Sequence, residues 1–497
     1  MDNNYIVAVY DFRSKQDYIY KTNKVKEIMG ASKILEDAYS SVITEYNTNG
    51  GKIDTNTSGK FMLDEFIKSG YSACILYEGG GNLLMLYKSS AEFTAFNHHL
   101  SWYLIENAPG LSPICGKAEI DIGSNQSYDE IIKCVFADLG EYKRFAPPVA
   151  FADVLPFTQI DRNTSRPVAY KGNAYTRAPA SLSAESVAKH KKYMKITTDK
   201  NEKYAKNLDD LVEEKGEESL LALIYVDGNA MGQKVKDNTK GCDFEAGVNK
   251  MRDFSNEIKE AFIDKPLKAI ELALDKLEGK DILAMRRIIG GGDEITMVCN
   301  ARNALKVADI YFNTLDKKFS SCMGIAIFHS HAPFADIYKI AEQCCESGKA
   351  CTKIQGNANN SYIDAYFCRG AITGDMEELR EKQEGERTKM PYCVGGDFER
   401  FKELGASLKN IARTNIKALR DAAFVSNVSK SDFELELMRV TSNAKKNISF
   451  ELKVEDMPVL CDAAAFFDLG WFTDDNIDII DEKGDESDVS DKNNVAI

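Results

Sequence analysis

One pattern of strands and helices occurs twice in this chain, and that duplication constrains its fold more than any other feature. Near the N-terminus "YIVAVY" (Tyr5–Tyr10) reads as a short buried strand ending at Asp11. A long helical stretch, "QDYIYKTNKVKEIMGASKILEDAYSSVITEY", follows, with Ile19, Val25, Ile28, Ile34 and Leu35 near a 3.6-residue period. Then come a strand–turn–strand, "SACILYEGGGNLLMLY", a helix and a strand "GKAEIDIG". The order returns from "LLALIYVDGNAMGQKV" through "RRIIGGGDEITMVC" to "CMGIAIFHS". Aligning the copies sets Asp11 against Asp227 and "GGGNLL" against "GGGDEI". Asp11 precedes Asn82 by about 71 residues, and Asp227 precedes Asp293 by about 66. A duplicated α+β unit therefore accounts for most of the chain.

The bulk numbers fit that reading. A chain of 497 residues exceeds one core and predicts several domains. Apolar content of 44% and charged content of 28% are ordinary for a globular protein. A net charge of −14 argues against a generally nucleic-acid-coated surface. No apolar run spans a membrane, and "MDNNYIVAVYDF" is not a signal peptide, so a cytoplasmic location is expected. The twelve cysteines lack zinc-site spacing and read as reduced, small apolar residues.

The sequence divides accordingly. Residues 1–145 form a first unit, 146–216 a proline-containing connecting lobe and 217–372 a second unit. A helical C-terminal region is expected over 373–475, with aromatic anchors at Phe466, Phe467 and Trp471. An acidic tail without aromatics over 476–497 reads as disordered.

The second hairpin places three glycines and two acids between apolar runs. Glycine weakens a strand unless the backbone turns tightly or a ligand approaches closely. Paired acids at a turn repel unless a cation lies between them. Two readings are open: a turn with solvated acids, or a metal site. The second gains from Asp227, which ends the neighbouring strand and would bring a third carboxylate beside Asp293 and Glu294. Hard oxygen ligands, including the carbonyl of Gly228, suit Mg²⁺ or Mn²⁺, which complete their shells with substrate phosphates. Gly291 and Gly292 would then admit a nucleotide to the turn. Lys349 reads either as a phosphate contact or as a surface lysine. Asn229 and Met231 read either as base-pocket residues or as a strand-to-helix turn. In the first unit Asn82 and Leu83 stand where the acids should be, so that copy is expected to be catalytically dead.

Other candidates carry blander readings. His329 and His331 are expected at a strand end near the cluster, as rim histidines. Arg286 and Arg287 read as a solvated strand flank. No G-x-x-x-x-G-K-[ST] occurs, which excludes a P-loop NTPase.

Four stretches together resemble the polymerase-like large subunit of type III CRISPR effector complexes, which synthesises cyclic oligoadenylates. They are "YDFRSKQDYIYKTNKVKEIMGASKIL", "YVDGNAMG", "GGGDEI" and "GIAIFHSHAPFADIYKIAEQCCESGK". The resemblance covers approximately Met1 to Gly370, and it rests on the paired occurrence, since diguanylate cyclases share a turn like "GGDE". It implies an α+β fold of two ferredoxin-like, nucleotidyl cyclase-like palm domains, with a connecting lobe and a helical C-terminal region. It also implies that Asp227, Asp293 and Glu294 are catalytic and metal-binding. Gly228 would be a metal ligand, and Gly228, Asn229, Gly291, Gly292 and Lys349 would contact nucleotide.

The sequence departs from the family in three places. It has no His-Asp dipeptide, so the family's nuclease domain is expected to be missing; its connecting lobe has no zinc cysteines; and Glu294 replaces the second aspartate of the usual Gly-Gly-Asp-Asp. The function expected is a metal-dependent nucleotidyltransferase joining nucleoside triphosphates, ATP foremost, into a cyclic or oligonucleotide messenger for antiviral defence. An RNA activator or CRISPR-type subunits are the expected partners, with no membrane. The alternative is a catalytically silent nucleotide- or RNA-binding subunit.

Overall fold

The computed structural model describes residues 4–121, 126–145, 157–176, 178–198, 204–205, 207–212, 219–274, 283–368, 375–383, 387–409, 411–424, 430–443 and 456–472. The tail read over 476–497 and the boundaries drawn at 146, 216 and 372 lie outside these residues.

The first unit contains β1 (Asn4–Arg13), β2 (Ile53–Asp54), β3 (Ala73–Gly79), β4 (Asn82–Tyr87) and β5 (Ser112–Asp121). The lobe supplies β6 (Ile160–Asp161), β7 (Arg166–Gly172) and β8 (Ala180–Ser183), a small separate sheet. The second unit contains β9 (Leu220–Gly228), β10 (Met285–Gly291), β11 (Glu294–Asn300), β12 (Ser321–His329), β13 (Tyr362–Phe367) and β14 (Tyr392–Cys393). The first sheet runs β2-β3-β4-β1-β5 and the second β10-β11-β9-β12-β13-β14.

Within each sheet the same four strands recur in the same order. The hairpin β3-β4 lies beside β1, with β5 beyond it, and β10-β11 lies beside β9, with β12 beyond it. All of these pairings are antiparallel. This is the ferredoxin-like arrangement, present twice. The duplication extends to a backbone detail. Three residues after each aligned aspartate, Ser14 (φ 51°) and Ala230 (φ 54°) adopt the left-handed conformation. Non-glycine residues pay a steric cost there, and both positions start a helix, Lys15–Tyr20 and Met231–Thr239.

The long helix expected after Asp11 is two helices, Lys15–Tyr20 and Val25–Thr48. Lys24 is extended (φ −91°, ψ 107°), and the Thr22 hydroxyl donates to the Glu27 carboxylate at 3.2 Å, which fixes the break. An apolar period persists across the interruption, so the pattern did not reveal it.

Both sheet faces of the second unit are buried, which explains why β9 is almost continuously apolar. Ala222, Ile224 and Val226 face a core completed by the C-terminal helices, including Phe401, Phe466 and Trp471. Leu221, Leu223 and Tyr225 face a different core shared with the first unit, including Ile28, Ile34 and Tyr39. The first sheet's other face packs Val7, Val9 and Leu84 against Phe244, Val248 and Met251 of the second unit. The units therefore interlock. Among the described residues no helix is long and apolar enough to cross a membrane.

Candidate active site

Asp227 lies at the end of β9, where Cys322 of β12 is its partner. On the other side Val226 pairs with Ile295, so the antiparallel register brings Glu294 alongside Asp227. Gly291 pairs with Glu294, leaving Gly292 and Asp293 as a two-residue turn. Gly292 has φ +64° and Asp293 does not share the positive sign, the pattern of a type II′ hairpin. A Cβ at Gly228 would stand 2.7 Å from Asp293 Oδ2, so the absence of a side chain there lets Asp293 fold over the end of β9. The three acids expected to converge do so.

The ladder corrects the alignment of the two turns by one residue. Gly79 pairs with Asn82 as Gly291 pairs with Glu294. Gly81 and Asn82, not Asn82 and Leu83, therefore correspond to Asp293 and Glu294. Leu83 faces Tyr10 and is buried in the shared core. The first copy lacks both acids either way.

Electrostatics separate the two copies further. Burial, then the charge of Asp227, pushes the Asp293 carboxyl up to about 6. Burial, then Asp227 and Asp293, pushes Glu294 up to about 7. Lys349 donates to Asp227 Oδ2 and lies 3.7 Å from Glu346. Burial opposes its charge, but Asp227 outweighs burial and holds the ammonium above the ordinary lysine value. In the first unit Asp11 pairs with Lys15 at 2.7 Å and Lys143 at 2.8 Å. Burial would raise its pKa, yet these two lysines lower it. Asp11 is thus neutralised internally.

Three groups absent from the sequence reading belong to the cluster. Glu342, whose pKa burial raises, senses both Glu346 and Asp227. Its spacing from Glu346 and Lys349 on the helix Phe334–Thr352 puts all three on one face, a readable signal. Gln16 of the first unit donates to Glu342 at 3.1 Å and to the Tyr338 hydroxyl at 2.9 Å. Tyr20 stacks on Tyr338 with centroids 3.8 Å apart. These are contacts between units, which no local pattern announces.

Several residues lie elsewhere. Asn229 is buried and its amide donates to Ser320 Oγ at 3.2 Å and the Asn360 carbonyl at 3.1 Å. His329 pairs with Leu220, at the opposite end of β9 from Asp227, so the expectation of a histidine near the cluster is wrong. Antiparallel pairing of β12 with β9 makes the strand's end, not its start, remote. Arg286 is buried, donating to the Ala205 carbonyl, and is not a solvated flank. Arg287 is half-buried and 3.5 Å from Glu36.

Among the described residues no three His, Cys, Asp or Glu side chains are positioned to hold a metal as they stand. The chemistry of the donor set nevertheless fits a hard divalent cation: three carboxylates, two with raised pKa values, and Lys349 as the counter-charge on Asp227.

No family model matches the sequence, and no curated protein matches it. Solved structures do. A Csm1–Csm4 cassette in complex with pppApApA superposes with a TM-score of 0.54 at 12% identity, over 94% of this chain and 70% of the other. Csm1 from T.onnurineus gives 0.53 at 11% identity, over 95% and 70%. The apo Csm1–Csm4 cassette gives 0.52 at 12% identity, over 94% and 70%. The chain therefore shares its overall fold with the Csm1 of these structures.

Proposed function

We propose that the second unit is a metal-dependent nucleotidyltransferase that joins nucleoside triphosphates, ATP foremost, into a cyclic or linear oligonucleotide. The observation that carries this reading is the asymmetry between two copies of one fold. Three carboxylates converge at Asp227, Asp293 and Glu294, while Asp11 faces Gly81 and Asn82 with two lysines upon it. Csm1–Csm4 cassettes of this fold have been solved with pppApApA, cA4 and cA3, which supports adenine nucleotides as ligands.

The carboxylates and the Gly228 carbonyl would hold Mg²⁺ or Mn²⁺, which supplies Lewis acidity toward phosphate oxygens and acidifies a ribose hydroxyl. Lys349 then exchanges Asp227 for phosphate, moving a point charge from carboxylate to triphosphate. Gly291 and Gly292 keep the turn backbone open to the nucleotide. Gln16 and Tyr20 brace the helix that carries Glu342 and Lys349. RNA, or subunits of a CRISPR-type complex, would act as activator.

The test is incubation of the protein with each triphosphate and Mg²⁺ or Mn²⁺, with and without RNA, followed by chromatography and mass spectrometry. Oligoadenylates are expected. Consumption of no triphosphate under any condition, together with a rise in melting temperature on adding ATP, would establish the silent nucleotide-binding alternative.

A further inference from the structure

The first unit reaches across to the acids of the second. Gln16 and Tyr20 share one face of its short helix Lys15–Tyr20. That face meets the helix Phe334–Thr352: Gln16 donates to Glu342 and to the Tyr338 hydroxyl, and Tyr20 stacks on Tyr338. Tyr225 of β9 packs edge-on against the same Tyr338 ring, with centroids 5.6 Å apart. The matching helix of the second unit is Met231–Thr239. Counting from the aligned aspartates puts Gly232 and Lys236 where the first unit has Gln16 and Tyr20, and both of these are exposed. One copy of this helix has thus diverged to serve the other unit.

The sheet face under this stack also carries the acids. Side chains alternate along β11, so Glu294, Thr296 and Val298 share a face, and Val298 belongs to the core common to both units. Thr296 pairs with Tyr225 across the ladder. The Tyr20 hydroxyl and Thr296 Oγ1 lie beside each other, both buried and neither in a formed hydrogen bond. A buried tyrosine hydroxyl usually finds a partner, because without one it forfeits its hydration for nothing. The Tyr20 ring borders a cavity of about 560 Å³, yet its hydroxyl has no access to solvent. Packing alone would be served as well by phenylalanine. Burial first, then the charge of Glu294, raises the Tyr20 pKa well above the ordinary value, so the group stays a donor.

We propose that Tyr20, steadied by Thr296, is a positioning residue for Glu294. Its hydroxyl donates to the Glu294 carboxylate and fixes the orientation in which that carboxylate receives a divalent cation. The inference rests on the metal-dependent reading of the second unit, and it gives the first unit a task there without any acid of its own. Losing the hydrogen-bond partner of a ligating group weakens metal binding by about 10–100-fold.

Manganese titration of the full chain, followed by the EPR signal of the free ion, tests this. Tyr20→Phe and Thr296→Val each remove a hydroxyl with little change of shape. Each should raise the Kd for Mn²⁺ by roughly tenfold or more. Their melting temperatures in chelator should match or exceed that of wild type, since the hydroxyl removed had no partner. Tyr39→Phe is the control: its buried hydroxyl also lacks a partner, but Tyr39 stacks on Phe12 within the first unit. It should leave the Kd unchanged. Wild-type affinity in Tyr20→Phe, or equal weakening in Tyr39→Phe, would overturn the proposal while leaving the metal site in place. Undiminished Mn²⁺ binding by Asp293→Asn with Glu294→Gln would instead overturn the metal site, and the proposal with it.

Discussion

Gly292 and Gly80, the first turn residues of the two duplicated hairpins, meet backbone to backbone. A Cβ on Gly292 would stand 3.1 Å from the Gly80 Cα, and both residues have positive φ, 64° and 57°. The turn carrying Asp293 is therefore braced by the corresponding turn of the other unit. Gly292→Ala should incur both the left-handed penalty, about 1–2 kcal/mol, and displacement of a backbone that cannot yield like a side chain. Gly291 has open space around it and no positive φ. Thermal melts should show Gly292→Ala clearly destabilised and Gly291→Ala at the wild-type temperature. Lost turnover in a fully stable Gly291→Ala would locate the nucleotide over that residue.

The raised acids predict how the metal-free protein responds to pH. Unfolded Asp and Glu titrate near 4, whereas Asp293 and Glu294 are pushed up to about 6 and about 7. A group with a raised folded pKa contributes stability below its unfolded pKa and loses it as pH rises through the folded value. In chelator, wild type should therefore lose stability from this cluster between about pH 4 and pH 7.5. Asp293→Asn with Glu294→Gln should flatten that slope. Parallel melting curves for the two proteins across this range would refute the coupling.

Divalent metal should reverse the penalty. At pH 7.5 both acids are mostly ionised, and a bound cation stabilises by about 2.7 kcal/mol at a hundred times its dissociation constant. Millimolar Mg²⁺ or Mn²⁺ should raise the melting temperature of wild type, and further with ATP. The double variant should show neither rise and no turnover. An equal rise in both proteins would move the metal elsewhere.

Much of this arrangement was legible because it is local. The strand closing on Asp227 and the two hairpins follow from apolar period and glycine clusters, whereas the first strand runs two residues past Asp11, to Arg13. What escaped is tertiary. The one-residue offset between the turns depends on which residues pair across the ladder, and a two-residue turn with Gly80–Gly81 is indistinguishable in sequence from one with Gly81–Asn82. Arg286 looked solvated because charge normally implies exposure, yet the Ala205 carbonyl receives it in the interior. His329 was misplaced because strand direction, not strand existence, sets its distance from Asp227. Gln16 and Tyr20 joined the cluster only when the two units packed together.

The duplication permits one decisive comparison. Asp11 and Asp227 occupy the same position in two copies of one fold, but their partners differ. Asp11 is held by Lys15 and Lys143, with no second acid in its turn, so Asp11→Ala should leave turnover nearly intact. Its cost is structural: two partly exposed ion pairs are lost, about 1–2 kcal/mol. Asp227→Ala removes the carboxylate that faces Asp293, Glu294 and Lys349 at once. Turnover should fall by several orders of magnitude, since a ligand shared within the cluster disappears. Rates must be compared at a temperature where both variants are folded, as judged by their melting curves. Equal losses at matched foldedness would mean that catalysis draws on both palms alike, and the assignment of one active and one inactive copy would fall.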